Sequence, residues 1–125
     1  IQTALKASET GHLVMTTLHT ASVRQTVNRL SGYFNIEEAN KIRQQLSNTL
    51  IAILCQKLIK SADGKTMIPA FEIMINTSAT ANLIRIGDTA QLSTYMLTDQ
   101  KKGSIPMDKA IENLITKRLI NKEDV

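Results

Sequence analysis

The sequence of 125 residues predicts a mixed α/β fold, and three observations lead to this prediction. Residues 1–32 have the pattern of a helix, a short strand and a second helix, an order typical of α/β units. Later in the chain, two apolar runs flank an Asp-Gly pair, which indicates a β-hairpin. After Asn76 the apolar residues recur at helical spacing. We therefore predict an α/β part over residues 1–76 and a helical part over residues 77–125.

The first predicted elements are a helix and a strand. Residues 1–10 predict a helix that ends at Gly11, because glycine adopts the left-handed cap conformation without strain. Residues 12–18, with the sequence HLVMTTL, are apolar and rich in β-branched side chains. Since apolar residues stand next to one another in this run, we expect a strand covered on both faces, as in a parallel sheet.

Two more helices are predicted after this strand. Ser22 and Gln25 have the spacing of a capping box, and Gly32 predicts the end of the helix that they begin. Asn35 is predicted to cap a long helix over residues 36–54, whose acidic first turn suits the helix dipole. The apolar face of the first of these helices consists of Val23, Val27 and Leu30, and that of the second of Ile36, Ala39, Ile42, Leu46, Leu50 and Ile53.

The hairpin is predicted from residues 56–60 and 66–75, which are joined through the Asp63-Gly64 turn. Pro69 lies within the second run and cannot donate a ladder hydrogen bond, so it predicts an edge position or a bulge.

The rest of the chain is predicted to be helical. Thr77 or Ser78 is expected to cap the next helix and Asp88 the one after it. Residues 99–106 are expected to form a flexible loop, and a last helix is expected over about residues 107–119. The apolar face of this last helix consists of Ala110, Ile111, Leu114 and Ile115.

Composition excludes several classes of protein. Hydrophobic residues make up 42% and charged residues 21%, a balance typical of globular domains. The apolar run over residues 50–55 is far shorter than the ~20 residues of a membrane helix. The residues after Ile1 lack the pattern of a secretory leader, so we expect none, and the basic residues form no polybasic patch. The single Cys55 suits a reducing compartment. A net charge of +4 and an aromatic content of 3% give little support for nucleic-acid binding. Because the chain begins at Ile1 in mid-pattern, we expect it to be a piece of a longer protein.

The two histidines of the chain bracket the predicted first strand. His12 and His19 are seven residues apart, so in a regular strand they point to opposite faces and lie ~23 Å apart. They cannot share a metal ion, and no cysteine pair is present to help either one. His19 and Thr20 lie at the carboxyl end of the strand, where α/β sheets bind ligands, so His19 is the functional candidate. The alternative is that His19 is a surface residue at the end of a strand.

Residues 9–20, ETGHLVMTTLHT, resemble the histidine box of the secretion ATPase superfamily, the hexameric motors of type IV pili and of type II and type IV secretion. Further similar stretches are IRQQLSNTL, QKLIK, EIMINT and NLIR, in the same order. The resemblance implies that the chain is the C-terminal half of a RecA-like P-loop ATPase core, followed by a small helical region. No G-x-x-x-x-G-K-[ST] loop is present. The resemblance therefore implies ATP and Mg²⁺ as ligands of the full-length protein, with neither bound by this chain alone.

The resemblance also implies roles for individual residues. His19 would approach the γ-phosphate of ATP, with Thr20 as a neighbouring polar contact, so both are catalytic candidates. The other box residues are Glu9, Thr10, Gly11 and His12, of which His12 is expected to hydrogen-bond within the fold. Arginine suits contacts across a subunit boundary, although ordinary solvated charge is the alternative. The arginines considered for such a boundary are Arg24, Arg29 and Arg43.

Residues 79–86, ATANLIRI, resemble a C-terminal helical motif of the pilus-retraction ATPases. Thr80, Ala81 and Ile86 depart from that motif, so a retraction role and a secretion role both stay open, as does simple core packing of this helix. One cysteine cannot form the four-cysteine zinc module of the pilus-assembly branch, which favours the retraction branch. The matching residues are Ala79, Asn82, Leu83, Ile84 and Arg85.

The leading hypothesis is a fragment of a homo-hexameric, ATP-hydrolysing motor for pilus retraction (twitching motility) or secretion. The resemblance implies a cytoplasmic protein, peripheral to the inner membrane, that acts on membrane platform proteins without a transmembrane segment of its own. The fragment alone is expected to be inactive. The alternative is a non-enzymatic basic module that binds nucleic acid or a partner protein, which the hairpin and the positive charge permit.

Overall fold

The chain folds into six α-helices and one two-stranded antiparallel sheet in a computed structural model that describes residues 1–125. This arrangement confirms the α/β class. Short 3₁₀ turns precede α5, follow it and end the chain. No helix combines the length and the apolar character that a bilayer span requires. The elements are α1 (Gln2–Glu9), α2 (Val23–Gly32), α3 (Ile36–Thr49), β1 (Ala52–Lys60), β2 (Met67–Ile75), α4 (Ser78–Ile86), α5 (Leu92–Thr98) and α6 (Met107–Thr116).

The hairpin begins earlier than the sequence predicted. Strand β1 pairs with β2 from Ala52 onward, whereas residues 52–54 were predicted to be helical and the strand to begin at residue 56. A short apolar run fits a helical stripe and a strand equally well, and here the pairing with β2 decides between them. Asn76 then stabilises the end of α3 at Thr49, because its Nδ2 donates to the carbonyl oxygen of Leu50 at 2.9 Å.

The turn of the hairpin and the edge position of Pro69 agree with the prediction. Gly64 adopts a φ of +71° in the turn, a conformation that glycine allows. Pro69 lies opposite Leu58 in a ladder whose partners follow one another without a skipped residue, so the alternative of a bulge is wrong. Both strands of a two-stranded sheet are edges, which leaves room for the missing N–H of Pro69.

One core joins the helices on both sides of Asn76. It is built from the apolar faces of α2 and α3, the inward side of the hairpin, and helices α4 and α5. Each fully buried Leu, Ile or Met side chain contributes about 1.5–3 kcal/mol to this packing. Ile36, predicted to face the core, is instead 81% exposed at the first turn of α3. The core residues are Leu5, Val23, Val27, Leu30, Ile42, Leu46, Ile53, Cys55, Met74, Leu83, Ile84, Leu92 and Met96.

Helix α6 packs on a second, smaller cluster. Ile59, Ala70 and Ile120 form its buried part. The predicted face of α6 does pack there, although the helix ends at Thr116 rather than near residue 119. The side chains of α6 that pack on this cluster are Met107, Ala110, Ile111, Leu114 and Ile115.

The prediction of a buried strand over residues 12–18 is wrong for this chain. These residues have no regular secondary structure, and Leu13 and Met15 are 76% and 88% exposed. A strand requires a neighbour that satisfies its N–H and C=O groups, and the only ladder in this chain is the one between β1 and β2. Leu18 alone packs against the main core.

Helix caps follow the local sequence closely. The side chains of Ser22, Asn35 and Thr77 each accept a hydrogen bond from the first turn of the helix that follows, as predicted. Asp88 was also predicted to be a cap, but its carboxylate accepts from the side chain of Gln91 instead. Gly32 lies inside the last turn of α2 rather than beyond it, without a positive φ.

Residues 99–106 are tied to the hairpin, which corrects the prediction of a flexible loop. Ile105 exchanges two backbone hydrogen bonds with Ile73, at 2.8 and 2.7 Å. Ser104 is fully buried, and its hydroxyl accepts from the N–H of Ile75 at 3.1 Å. Residues 104 and 105 therefore pair with the outer edge of β2, a contact that the periodicity of a single sequence cannot reveal.

Candidate functional site

The predicted histidine box is the exposed connection between α1 and α2. His12 lies at its start, where Nδ1 is 3.2 Å from the carbonyl oxygen of Ala7 and 3.2 Å from the hydroxyl of Thr10. A protonated Nδ1 can donate to either oxygen. His12 is thus tied to the end of α1, in agreement with the prediction that it hydrogen-bonds within the fold.

His19 lies at the other end of this connection, just before α2. Its imidazole is exposed and makes no hydrogen bond within the chain. Its backbone is nevertheless held in place, because Nη1 of Arg29 donates to the His19 carbonyl oxygen at 2.9 Å. Nε of the same guanidinium donates to the hydroxyl of Tyr33 at 2.8 Å. Helix α2 therefore fixes the backbone of His19 and leaves its ring open to a ligand.

Thr20 points toward the core rather than away from it. Its hydroxyl is 2.7 Å from that of Thr26, which in turn lies 3.6 Å from Sγ of Cys55 on β1. Burial raises the pKa of the Cys55 thiol, the hydrogen bond from Thr26 opposes that effect, and the charge of Glu72 adds to it. Cys55 is accordingly a neutral, buried core residue, as predicted.

Glu72 is a buried carboxylate that the sequence analysis did not single out. It lies on the inward side of β2, directly opposite Cys55. Oε1 accepts from the N–H of Val23 at 2.6 Å, and Oε2 accepts from the N–H of Met107 at 3.3 Å. These two residues begin α2 and α6. One signal was available: an acidic residue at an inward strand position, between Ala70 and Met74, requires polar partners.

Two N–H groups in the first turn of α2 already have partners within this chain. Glu72 accepts from Val23, and the hydroxyl of Ser22 accepts from the N–H of Gln25 at 3.2 Å. Oε1 of Gln25 accepts from the N–H of Ala21, so the predicted capping box closes one residue earlier than the standard form. A phosphate cradle requires such N–H groups to be open. These two N–H groups are not open to a ligand, whereas the ring of His19 is.

Glu9, Arg24 and Arg43 make no hydrogen bond to His19. Both carboxylate oxygens of Glu9 accept from Nε2 of Gln45 on α3, at 3.1 and 3.0 Å. Arg24 is exposed on α2. Arg43 lies over the end of α4, beside Gly87, with a hydrogen bond to Asn40 and a buried Nε that has no acceptor. No group of three His, Cys, Asp or Glu side chains is placed to hold a metal ion.

Helix α4 carries the motif-like residues on two different faces. Leu83 and Ile84 are buried in the main core, whereas Asn82 and Arg85 are exposed and contact each other at 3.4 Å. Thr80, one of the departures from the motif, is fully buried and completes a capping box with the N-cap residue of α4. Ala79 is half-buried, Ala81 is buried and Ile86 is 63% exposed.

Comparison with known proteins gives a match to one family over most of the chain. Residues 1–118 match the family described as type II/IV secretion system protein. A twitching motility protein of Neisseria gonorrhoeae is 38% identical over 120 residues. That alignment covers 96% of this chain and 32% of the relative. The type IV pilus retraction ATPase PilT of Pseudomonas aeruginosa is 40% identical over 124 residues, which cover 99% of this chain and 36% of that protein.

Solved structures give the same result for the fold. The crystal structure of the pilus retraction motor PilT with bound ADP matches with a TM-score of 0.83 and 34% identity, over 98% of this chain and 34% of that one. The ATPase DotB of Legionella pneumophila matches with a TM-score of 0.79 and 24% identity, over 98% of this chain and 33% of that one. The likeness to DotB supports the fold alone. The chain spans about a third of the length of these relatives.

Proposed function

The chain belongs to the type II/IV secretion system protein family, and from this membership and the site geometry we propose that it is part of a homo-hexameric motor that hydrolyses ATP to drive pilus retraction or secretion. The observation that carries the proposal is the placement of His19. Its backbone is fixed by Arg29 while its ring makes no hydrogen bond within the chain. Such a ring is prepared to bind a ligand that another part of the protein holds.

In this proposal His19 reports on the terminal phosphate of ATP. Hydrolysis is the attack of water on the γ-phosphorus, with loss of the bond to the β-phosphate oxygen, and its rate depends on positioning and on charge stabilisation. An N–H of the His19 ring would donate a hydrogen bond to a γ-phosphate oxygen. Thr20 would support this contact indirectly, since its hydroxyl contacts Thr26.

Magnesium enters the proposal only through the rest of the protein. When bound, Mg²⁺ neutralises charge on the phosphates. The residues of this chain bring together no ligand set for a metal ion, so we assign no metal ligand here and route no step through the ion. Because the sequence also contains no phosphate-binding loop, we propose that these 125 residues alone hydrolyse no ATP.

The partner surfaces belong to the same proposal. Arg24 and Arg43 are proposed contacts to a neighbouring subunit. Arg24 is exposed on α2, and Nη2 of Arg43 donates to Asn40 in an exposed position. Asn82 and Arg85 are the exposed members of the retraction-like motif and are proposed to act in force transmission. Platform proteins at the cytoplasmic face of the inner membrane are the proposed partners. We also propose that Asn76 marks the boundary between the ATPase part of the chain, residues 1–76, and its helical part, residues 77–125.

The test is steady-state ATP hydrolysis by the full-length protein with His19→Ala and His19→Gln. Loss of one well-placed donor costs about 100-fold in kcat, so we expect that loss for alanine and a partial recovery for glutamine, which retains an N–H. His12→Ala is the matched control and should change kcat by less than about threefold, because the His12 ring bonds only to α1 and Thr10. Wild-type turnover by His19→Ala, or steady turnover by the isolated chain, would contradict the proposal.

A further inference from the structure

We propose that Glu72 is a positioning residue that mechanically couples α2, the helix directly after His19, to the C-terminal helix α6. The inference rests on the proposed function for its biological meaning, since α2 matters there as the support of His19. The geometric part is independent of that function. It concerns one buried side chain that contacts the first residues of two helices far apart in the sequence.

Both contacts of Glu72 are made at the same helical position. Val23 and Met107 are each the first residue of their helix, and each donates its backbone N–H to one oxygen of the carboxylate, at 2.6 and 3.3 Å. First-turn N–H groups have no partner within a helix and carry the positive end of its dipole. The single negative charge of Glu72 therefore serves two helix ends at once.

The carboxylate of Glu72 is paired with no charged side chain. It is 9% exposed and takes part in none of the ion pairs of the chain, which join Lys102 to Asp99 and Lys109 to Glu112. A buried carboxylate that loses one of its donors has no water to replace it, so displacement of either helix start is unfavourable. A shift of α2 away from β2 would therefore move or strain the carboxylate of Glu72, which also accepts from the first N–H of α6.

The two helices depend on Glu72 to different degrees. Helix α2 also has the side-chain cap of Ser22. Helix α6 begins after Pro106 and has no side-chain cap of its own, so Glu72 is the side chain that satisfies its first N–H. The start of α6 should therefore respond most to a change at Glu72. Hydrogen exchange of the backbone amides measures such a response helix by helix.

The first experiment needs no nucleotide. Glu72→Gln in the full-length protein replaces one acceptor oxygen by an amide that donates, so only one helix start can keep its bond. We expect amide exchange to become about tenfold faster in residues 107–110, the effect of losing one buried hydrogen bond, and to change less in residues 23–26, where the cap from Ser22 remains. Unchanged exchange in residues 107–110 would overturn the bridge.

The second experiment isolates one N–H group. Met107→Pro removes the donor to Glu72, and proline is favoured at the first position of a helix. The preceding Pro106 has φ −64° and ψ 150°, the extended conformation that a residue before proline requires. Met107→Ala is the matched control, because it loses the same side chain and keeps the N–H. Both Met107 variants keep Glu72, so this comparison tests the bridge even if Glu72→Gln unfolds the protein.

The coupling itself is measured as the change in exchange of α6 when a non-hydrolysable ATP analogue is added. In the wild type and in Met107→Ala we expect about a threefold or larger change in both α2 and α6. In Met107→Pro we expect the change in α2 to persist and that in α6 to disappear. Equal responses of Met107→Pro and Met107→Ala, or a wild-type response confined to α2, would overturn the coupling. If the proposed function itself is wrong, wild-type α2 shows no response to the analogue, and the nucleotide-free experiment still decides whether Glu72 bridges the helices.

Discussion

Substitution of Arg29 tests whether α2 holds His19 in its working position. The guanidinium donates to the carbonyl oxygen of His19 at 2.9 Å and to the hydroxyl of Tyr33 at 2.8 Å, one contact on each side. Arg29→Ala removes the only side-chain hydrogen bond to the His19 backbone. The ring of His19 should then sample many positions, although the helix itself remains intact because Arg29 faces solvent.

The expected magnitude follows from these contacts. A hydrogen bond to a charged group contributes about 1.5–3 kcal/mol and a typical hydrogen bond about 0.5–1.5 kcal/mol. Because the bond from Arg29 to His19 is exposed, we take about 1 kcal/mol. A loss of about 1 kcal/mol reduces the population of the correctly placed backbone about fivefold, since 1.4 kcal/mol corresponds to a factor of ten. We therefore expect kcat for ATP hydrolysis by the full-length protein to fall about fivefold.

The assay is steady-state phosphate release by the purified full-length protein, with its oligomeric state checked by light scattering, because Arg29 was also considered for a subunit boundary. Tyr33→Phe is the control: it removes the other hydrogen bond of Arg29 and leaves the one to His19. Its kcat should stay within about twofold of the wild type. An unchanged kcat for Arg29→Ala with normal oligomers would refute the reasoning, as would an equal loss in Tyr33→Phe.

The remaining predictions concern the core beneath the site. Thr26→Val removes the hydroxyl between Thr20 and Cys55 at constant volume and should lower the free energy of unfolding by about 1–2 kcal/mol in urea titrations; a double-mutant cycle with Thr20→Val that gives additive effects would contradict the contact. Because burial raises the pKa of the Cys55 thiol, less thiolate is present at any given pH. Alkylation by iodoacetamide should therefore be slower than for a free cysteine at every pH, and its rate should still rise at pH values where that of a free cysteine has levelled off. Rapid labelling near neutral pH would show that the thiol is accessible. Ile84→Ala should cost about 2–5 kcal/mol in thermal or urea unfolding and Ile86→Ala less than about 0.5 kcal/mol, since the first is fully buried and the second is 63% exposed; similar costs for the two would argue against the burial of α4.

Helix starts could be predicted from the sequence because they depend on local contacts. The hydroxyl of Ser22 and the side-chain oxygen of Asn35 each reach an N–H three residues further along the chain, a distance that a single-sequence pattern contains. The end of α3 could not be predicted in this way. Residues 50–55 satisfy a helical stripe and a strand alike, and the choice is made by pairing with β2, about twenty residues later.

In the candidate site, too, local features could be predicted from the sequence and distant contacts could not. His19 stood out because polar residues at the end of an apolar segment are typical of ligand sites in α/β proteins. The exposure of residues 12–18 could not be predicted, since it depends on which segments lie beside them in space. The hydrogen bonds of Arg29 and Glu72 join residues 10 and 49 positions apart, and no periodicity contains that information. The sequence did contain one signal, because Glu72 alternates with Ala70 and Met74 on the inward side of β2.

Helix α2 is held by this chain at three positions along its length, which is what the proposed sensor role of His19 requires. Glu72 holds its first N–H, Thr26 contacts Cys55 on β1, and Arg29 reaches back to the carbonyl oxygen of His19. Two of these three contacts end on the hairpin, so a force on the His19 backbone passes through α2 into β1 and β2. The hairpin also contacts the start of α6, because Oε2 of Glu72 on β2 accepts from the N–H of Met107. A ring that binds nothing within the chain and a helix that is held throughout its length are the two properties that a reporter of phosphate occupancy requires, because the ring can respond to a ligand and the helix transmits that response as a rigid unit.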